Sequence, residues 1–194
     1  MTEVSINKQV KLSQHLASPS EAAISHPNKL DGIRLSPHFT LGEVTKSSHA
    51  EICNIPSHVA IENLKRVCAW LEELRRRYNE RYVFSRNVEG GMRNENSWEV
   101  EEPIVINSGY RSPQLNKKVG GSPTSNHLTG CAVDIRVAGI EQAMRYAVIL
   151  MDYADETGQD YDELLIERNK SGGYWLHFAV RPKDNRRKTM FIQK

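Results

Sequence analysis

Cysteine is scarce. The chain has three (Cys53, Cys68 and Cys131), an odd number with no CxxC spacing. They build neither a disulfide framework nor a cysteine-ligated metal cluster, and they suit a reducing compartment as small core residues. Excess charge is missing too: 26 basic against 24 acidic side chains leave a formal charge of +2. That balance removes any global pull towards nucleic acid or an anionic membrane. No run approaches the roughly 18 apolar residues of a membrane span. The first twenty residues have no apolar h-region, so no cleaved Sec signal is expected. No internal repeat is visible. What is present, 39% hydrophobic and 26% charged in 194 residues, describes one soluble globular domain.

Residues 1–35 are polar and broken by Pro19 and Pro27, and read as an N-terminal arm ahead of a domain spanning 36–194. Thr40 followed by Glu43 resembles a capping box. Val59, Ile61, Leu64, Val67, Cys68, Leu71 and Leu74 recur at helical spacing after Ser57, which predicts a helix over about 57–78. Its basic end, Arg75 to Arg77, reads as a solvated last turn favoured by the helix dipole. Residues 85–103, rich in Asn, Glu and Gly, read as a surface excursion, and 103–107 as a short strand. Residues 110–126 hold little apolar content and read as a long, functional loop. A strand over 132–137 and a helix over about 141–153 follow. Two further strands, 164–167 and 174–180, are joined by a glycine-containing loop at 169–173 that signals a hairpin. Segregated helices and hairpins predict an α+β domain with a small, mainly antiparallel sheet.

His127 and Asp134 lie seven residues apart with Gly130 between them. On one helix they would be separated by about 10 Å, and on one strand they would face opposite ways. A turn at Thr129 and Gly130 followed by a strand lets both converge. His177, on the later strand, is the obvious third donor. Two imidazoles and a carboxylate with an open position make the ligand set of a catalytic zinc site. Taken singly, a strand histidine is more often a satisfied core or edge residue, and an aspartate a turn anchor. The other histidines (15, 26, 38, 49, 58) sit in the N-terminal third without ligand spacing.

The run from Ser125 through His127, Gly130 and Ala132 to Asp134 resembles the SxHxxGxAxD signature of the M15-type zinc peptidases. This is the D-alanyl-D-alanine carboxypeptidase and endolysin group, which shares its fold with the amino-terminal domain of hedgehog proteins. Ser108-Gly-Tyr-Arg111-Ser-Pro-Gln-Leu-Asn116 resembles the family's SGYRSxxxN, and Trp175-Leu-His177 its WxH. The resemblance covers roughly residues 36–180. It implies His127, Asp134 and His177 as ligands of Zn2+. Arg111 would hold a substrate carboxylate or carbonyl oxygen, a task suited to its rigid charged fork, with a structural salt bridge as the competing role. Ser125 and Tyr110 would join Arg111 in substrate binding, Ser125 alternatively orienting the His127 loop, and Gly130 would supply backbone freedom.

One position departs from the family. Many relatives carry the catalytic glutamate three residues before the last histidine, where this chain has Tyr174. If the hairpin closes through 169–173, Glu167 sits opposite Trp175 and shares a face with His177, which makes it the expected general base, with Glu163 in reserve. The resemblance implies a monomeric peptidase cutting peptidoglycan stem peptides or cross-links, as a carboxypeptidase or an endolysin-type endopeptidase. Such a chain would be made in the cytoplasm and reach the cell wall by release or another export route. The alternative is a non-catalytic, zinc-containing module of the same fold that binds peptidoglycan or a protein.

Overall fold

The computed structural model describes residues 30, 32–84 and 101–193. The first 29 residues of the expected arm, and 85–100 of the expected surface excursion, lie outside these. Helix α1 (Leu41–Thr45) opens on the expected capping box: the Thr40 side chain accepts from the Glu43 backbone, and the Glu43 carboxylate accepts from the Thr40 N–H at 2.7 Å. Helix α2 (His58–Tyr78) is capped by Ser57 and continues into a π-helical turn, Asn79–Phe84. The chain then forms strand β1 (Ile106–Ser108), helix α3 (Pro113–Lys118), a 3-10 turn (Asn126–Thr129) and strand β2 (Ala132–Arg136). Helix α4 (Ile140–Thr157) and strands β3 (Glu163–Arg168), β4 (Tyr174–Ala179) and β5 (Lys188–Gln193) complete it.

The five strands form one open sheet in the order β1-β2-β4-β3-β5, antiparallel throughout except for the parallel β3–β5 edge. This is the α+β architecture that the segregated pattern predicts. Because side chains alternate along a strand, β2, β3 and β4 divide their residues between two faces. Val133, Ile135, Leu164, Leu176 and Phe178 are fully buried in the hydrophobic core. Helices α2 and α4 pack on each other and against the sheet, and Trp70 joins them through an edge-to-face contact with Tyr153 and a tilted one with Phe178, at centroid distances of 4.8 and 5.4 Å. Each such side chain removed from water contributes about 1.5–3 kcal/mol. The opposite face of the same strands carries Asp134, Glu163, Glu167 and His177.

Several local expectations change. Residues 110–126 contain α3, which Ser112 caps and Pro113 starts, because proline fits the first helical position, where no N–H partner is needed. Helix α4 runs four residues past the expected end, to the left-handed Gly158. Strand β1 begins at Ile106, later than its apolar run suggests. Strand β5 was not anticipated: it is a mostly exposed edge strand whose short apolar run, Met190 to Ile192, is flanked by polar residues. Val59 is 70% exposed on the first turn of α2, and Cys53 is exposed while Cys68 and Cys131 are buried. The core reaches back to Leu30 and Leu35. Among the described residues no helix is long and apolar enough to cross a membrane. Arg75, Arg76 and Arg77 pair with Glu101, Glu73, Glu80 and Glu156, so the basic end of α2 is neutralised, with Arg76 exposed and Arg75 and Arg77 half-buried rather than solvated.

Gly130 ends the 3-10 turn at φ +72°, and a Cβ there would stand 2.4 Å from the Ala60 carbonyl oxygen of α2. Both the left-handed backbone and the backbone contact oppose any larger residue. Gly130→Ala should therefore lower the unfolding free energy by about 2–4 kcal/mol, read as a lower urea midpoint.

Candidate metal centre

Strand register brings the first two residues of the centre together. Asp134 of β2 lies directly opposite His177 of β4, and directly opposed residues of an antiparallel pair share a face. His177 Nδ1 stands 2.9 Å from Asp134 Oδ1. His127 arrives from the 3-10 turn, whose entry is capped by Ser125 accepting from the His127 N–H at 3.3 Å. Its Nε2 stands 3.3 Å from the same Asp134 oxygen. One donor atom from each of the three lies within 4.8 Å of the other two, and both imidazoles are buried.

The tautomer of His127 follows from its second contact. Nδ1 is 2.6 Å from the Gly109 carbonyl oxygen, which can only accept, so Nδ1 carries the proton. In the neutral ring Nε2 then has a bare lone pair facing a carboxylate oxygen. Two acceptors then face each other across 3.3 Å, an arrangement that a cation between them, a proton on Nε2 or a metal ion, satisfies. The donor set of two imidazole nitrogens and one carboxylate oxygen is one that borderline divalent metals prefer. Gly109 presents its carbonyl because α1 lies against it: a Cβ there would be 2.3 Å from the Val44 oxygen.

Charge around the triad is dense and compensated. Burial alone would raise the Asp134 carboxyl, but the imidazoles of His127 and His177 outweigh it and hold the group well below the usual carboxylate range. Burial would likewise depress His177, yet its hydrogen bonds with Asp134 and Glu163 raise it to about 9. Arg111 donates through Nη2 to Asp134 Oδ2 at 2.5 Å and through Nε to Ser108 Oγ at 2.9 Å. The two roles weighed for Arg111 therefore meet in one place, a salt bridge to Asp134 on the wall of the cleft.

The cleft has a volume of about 820 Å3 and is lined by Arg111, Ser125, His127, Asp134, Glu163, Glu167, Trp175 and His177 among others. Tyr110, which the motif places among substrate contacts, lies elsewhere. It is 8% exposed and packs in the core, and only its backbone serves the site's frame, donating to the Val44 oxygen at 2.7 Å and accepting from Asn54. Tyr174 cannot stand in for a glutamate. An odd offset from His177 on a regular strand sends it to the opposite face, where Arg168 lies over its ring. The hairpin closes in the expected register, with Glu167 opposite Trp175 and Glu163 opposite Ala179. Both glutamates therefore flank His177 diagonally. Glu163 Oε2 is 3.5 Å from His177 Nε2, and this contact, against burial, holds the Glu163 carboxyl down at about 2. Glu167 is 5% exposed and close enough for its charge to raise His177.

Sequence reasoning passed over Asp162. Its side chain is fully buried and accepts from Asn126 Nδ2 at 2.7 Å, Arg181 Nη2 at 2.5 Å and Arg186 Nε at 2.8 Å. It thereby ties the His127 turn to the loop before β5. A lone acidic residue at a strand edge carries no sequence signal for this, because its partners come from distant segments.

Residues 93–160 match the model of a family described as Peptidase M15. The matched segment holds His127 and Asp134 together with Arg111 and Ser125, and ends before β3 and β4 bring in the glutamates and His177. Peptidases of this family are metal-dependent, in keeping with the buried triad. No curated protein matches the chain.

Burial would raise the Asp162 carboxyl, but its hydrogen bonds to Arg186, Asn126 and Arg181 outweigh this and hold it at about 2. A carboxyl depressed from an unfolded value near 3.9 adds stability above that pH and loses it as pH falls towards 2. Wild-type stability should therefore fall between pH 4 and pH 2 more steeply than that of Asp162→Asn, measured by urea melts across that range.

Proposed function

We propose that this chain, an M15-type peptidase by its family match, is a zinc-dependent hydrolase of peptide bonds in peptidoglycan stem peptides or cross-links. The observation that carries the reading is the buried His127–Asp134–His177 triad on the wall of a cleft large enough for a short peptide. His127 Nε2, an Asp134 carboxylate oxygen and His177 Nδ1 would hold the ion. Zinc bound there supplies Lewis acidity and lowers the pKa of a coordinated water towards about 7.

The chain's own groups divide the remaining work. Glu167 accepts a proton from the attacking water and returns it to the nitrogen of the leaving amine. What supports Glu167 over Glu163 is how firmly Glu163 is engaged by its neighbours. Glu163 is engaged by His177, Asn126 and Arg186, and a carboxyl held at about 2 is a weak proton acceptor. Glu167 lies on the face of His177 and lines the same cleft. Arg111 stands at the cleft wall with its guanidinium oriented by Ser108 and Asp134, where it can hold the carbonyl or carboxylate oxygen of a peptide. Ser125 keeps the His127 turn in place. A binding module without catalysis is less well supported, because the missing glutamate at Tyr174 has a replacement on the correct face. The protein acts on the cell wall after release or export, as a monomer.

Purified protein should contain about one zinc per chain by metal analysis, and Asp134→Ala should lose most of it. Full metal retention in both Asp134→Ala and His177→Ala would overturn the ligand assignment. Peptidoglycan digests followed by mass spectrometry should show cleaved peptide bonds and no new reducing sugar ends, with activity lost to a chelator and restored by zinc. Glu167→Gln should reduce turnover by roughly 10²-fold or more while metal content and melting temperature change little.

A further inference from the structure

We infer that Glu163 is a positioning residue of the metal centre, which fixes the His177 imidazole through its outer nitrogen, rather than a second proton acceptor. The inference rests on the metal reading given above and adds the group that orients one of its ligands. His177 Nδ1 faces Asp134 Oδ1 at 2.9 Å, so Nδ1 is the nitrogen turned into the triad. A ligating Nδ1 carries no hydrogen, and the ring proton is then on Nε2. The carboxylate that Nε2 faces is Glu163, whose Oε2 is 3.5 Å away. A carboxylate on the outer nitrogen of a ligating histidine fixes its tautomer and ring orientation and raises its basicity.

Glu163 is itself held. Asn126 Nδ2 donates to its Oε2 at 3.0 Å, Arg186 Nη2 lies 3.0 Å from Oε1, and Lys188 Nζ lies 3.6 Å from Oε1. The same Asn126 amide donates to the buried Asp162 at 2.7 Å. Asn126 directly precedes His127, so one amide connects the turn that delivers His127 to the carboxylate that orients His177. The two histidines, fifty residues apart, are thus aligned by one polar bridge. This also accounts for a cationic pair beside a metal centre. Arg186 and Lys188 anchor Glu163 through Oε1 and leave Oε2 to Asn126 and the imidazole.

The test compares wild type, Glu163→Gln and Glu163→Ala as metal-free proteins titrated with zinc against a competing chelator, with circular dichroism and melting temperature to establish folding. Glu163→Ala should bind zinc roughly 10- to 100-fold more weakly than wild type. Glu163→Gln should recover most of that loss, because its amide oxygen can still accept from His177 Nε2 and Asn126 Nδ2. Unchanged zinc affinity in a folded Glu163→Ala, above all with lost turnover, would overturn the inference and leave the metal reading intact. A wild type that binds no zinc would overturn both. A second readout needs no substitution: nitrogen-15 NMR of zinc-loaded wild type should show His177 protonated on Nε2 with Nδ1 metal-bound. The reverse tautomer would overturn the assignment even if a variant fails to fold.

Discussion

The opposition of Asp134 on β2 and His177 on β4 is the contact on which the rest depends. Because the two strands are antiparallel neighbours in the middle of the sheet, this pairing places a carboxylate and an imidazole on one face at hydrogen-bonding range. It also determines what else can reach them. Ser108 lies opposite Asp134 on the far side, and Leu165 lies opposite His177, which puts Glu163 and Glu167 on either diagonal. A slip of one residue would turn every one of these groups into the hydrophobic core and expose Leu176 and Phe178 instead. The apolar face packed on α2 and α4 therefore protects the register of the polar face. Core packing and site geometry are two consequences of the same alternation.

Burying so much charge in one place requires compensation, and the centre supplies it in layers. Asp134 stays ionised because two imidazoles and Arg111 surround it, despite a burial that would otherwise favour its neutral form. His177 is raised by the carboxylates it touches, and Glu163 is lowered by His177 and the donors behind it. Behind these stands Asp162, fully buried, which gathers Asn126, Arg181 and Arg186. The backbone between Arg181 and β5 follows this demand. Asp184 and Arg187 adopt φ values of 57° and 49°, unusual for residues with side chains, in the loop that delivers Arg186. The loop holds a less favoured conformation because four of its donors end on Asp162, one of them a backbone N–H.

Much of this was legible along the chain. The capping box at Thr40, the amphipathic stripe of α2, the turn at Gly130 and the strand after it all depend on neighbours within a few residues, where propensity and spacing act directly. The hairpin register that sets Glu167 opposite Trp175 follows from the five-residue loop between the strands. Less legible were α3, too short to show a period, and β5, a mostly exposed edge strand. The motif that contains Tyr110 is satisfied by that residue's backbone, which no reading of side-chain types reveals.

The sequence alone determined the local half of the candidate metal centre: a histidine on a capped turn, a left-handed glycine, and an aspartate early in the next strand. Those residues lie close in the chain, and short-range sterics and hydrogen bonding are enough to arrange them. Only the tertiary structure decided the other half. It set which face of β4 presents His177, sent Tyr174 to the opposite side, gave Glu163 to His177 and Asn126, and brought Asp162 under the His127 turn. These are contacts between segments tens of residues apart. Strand order and sheet register create them, and neither is written in the spacing of any single segment.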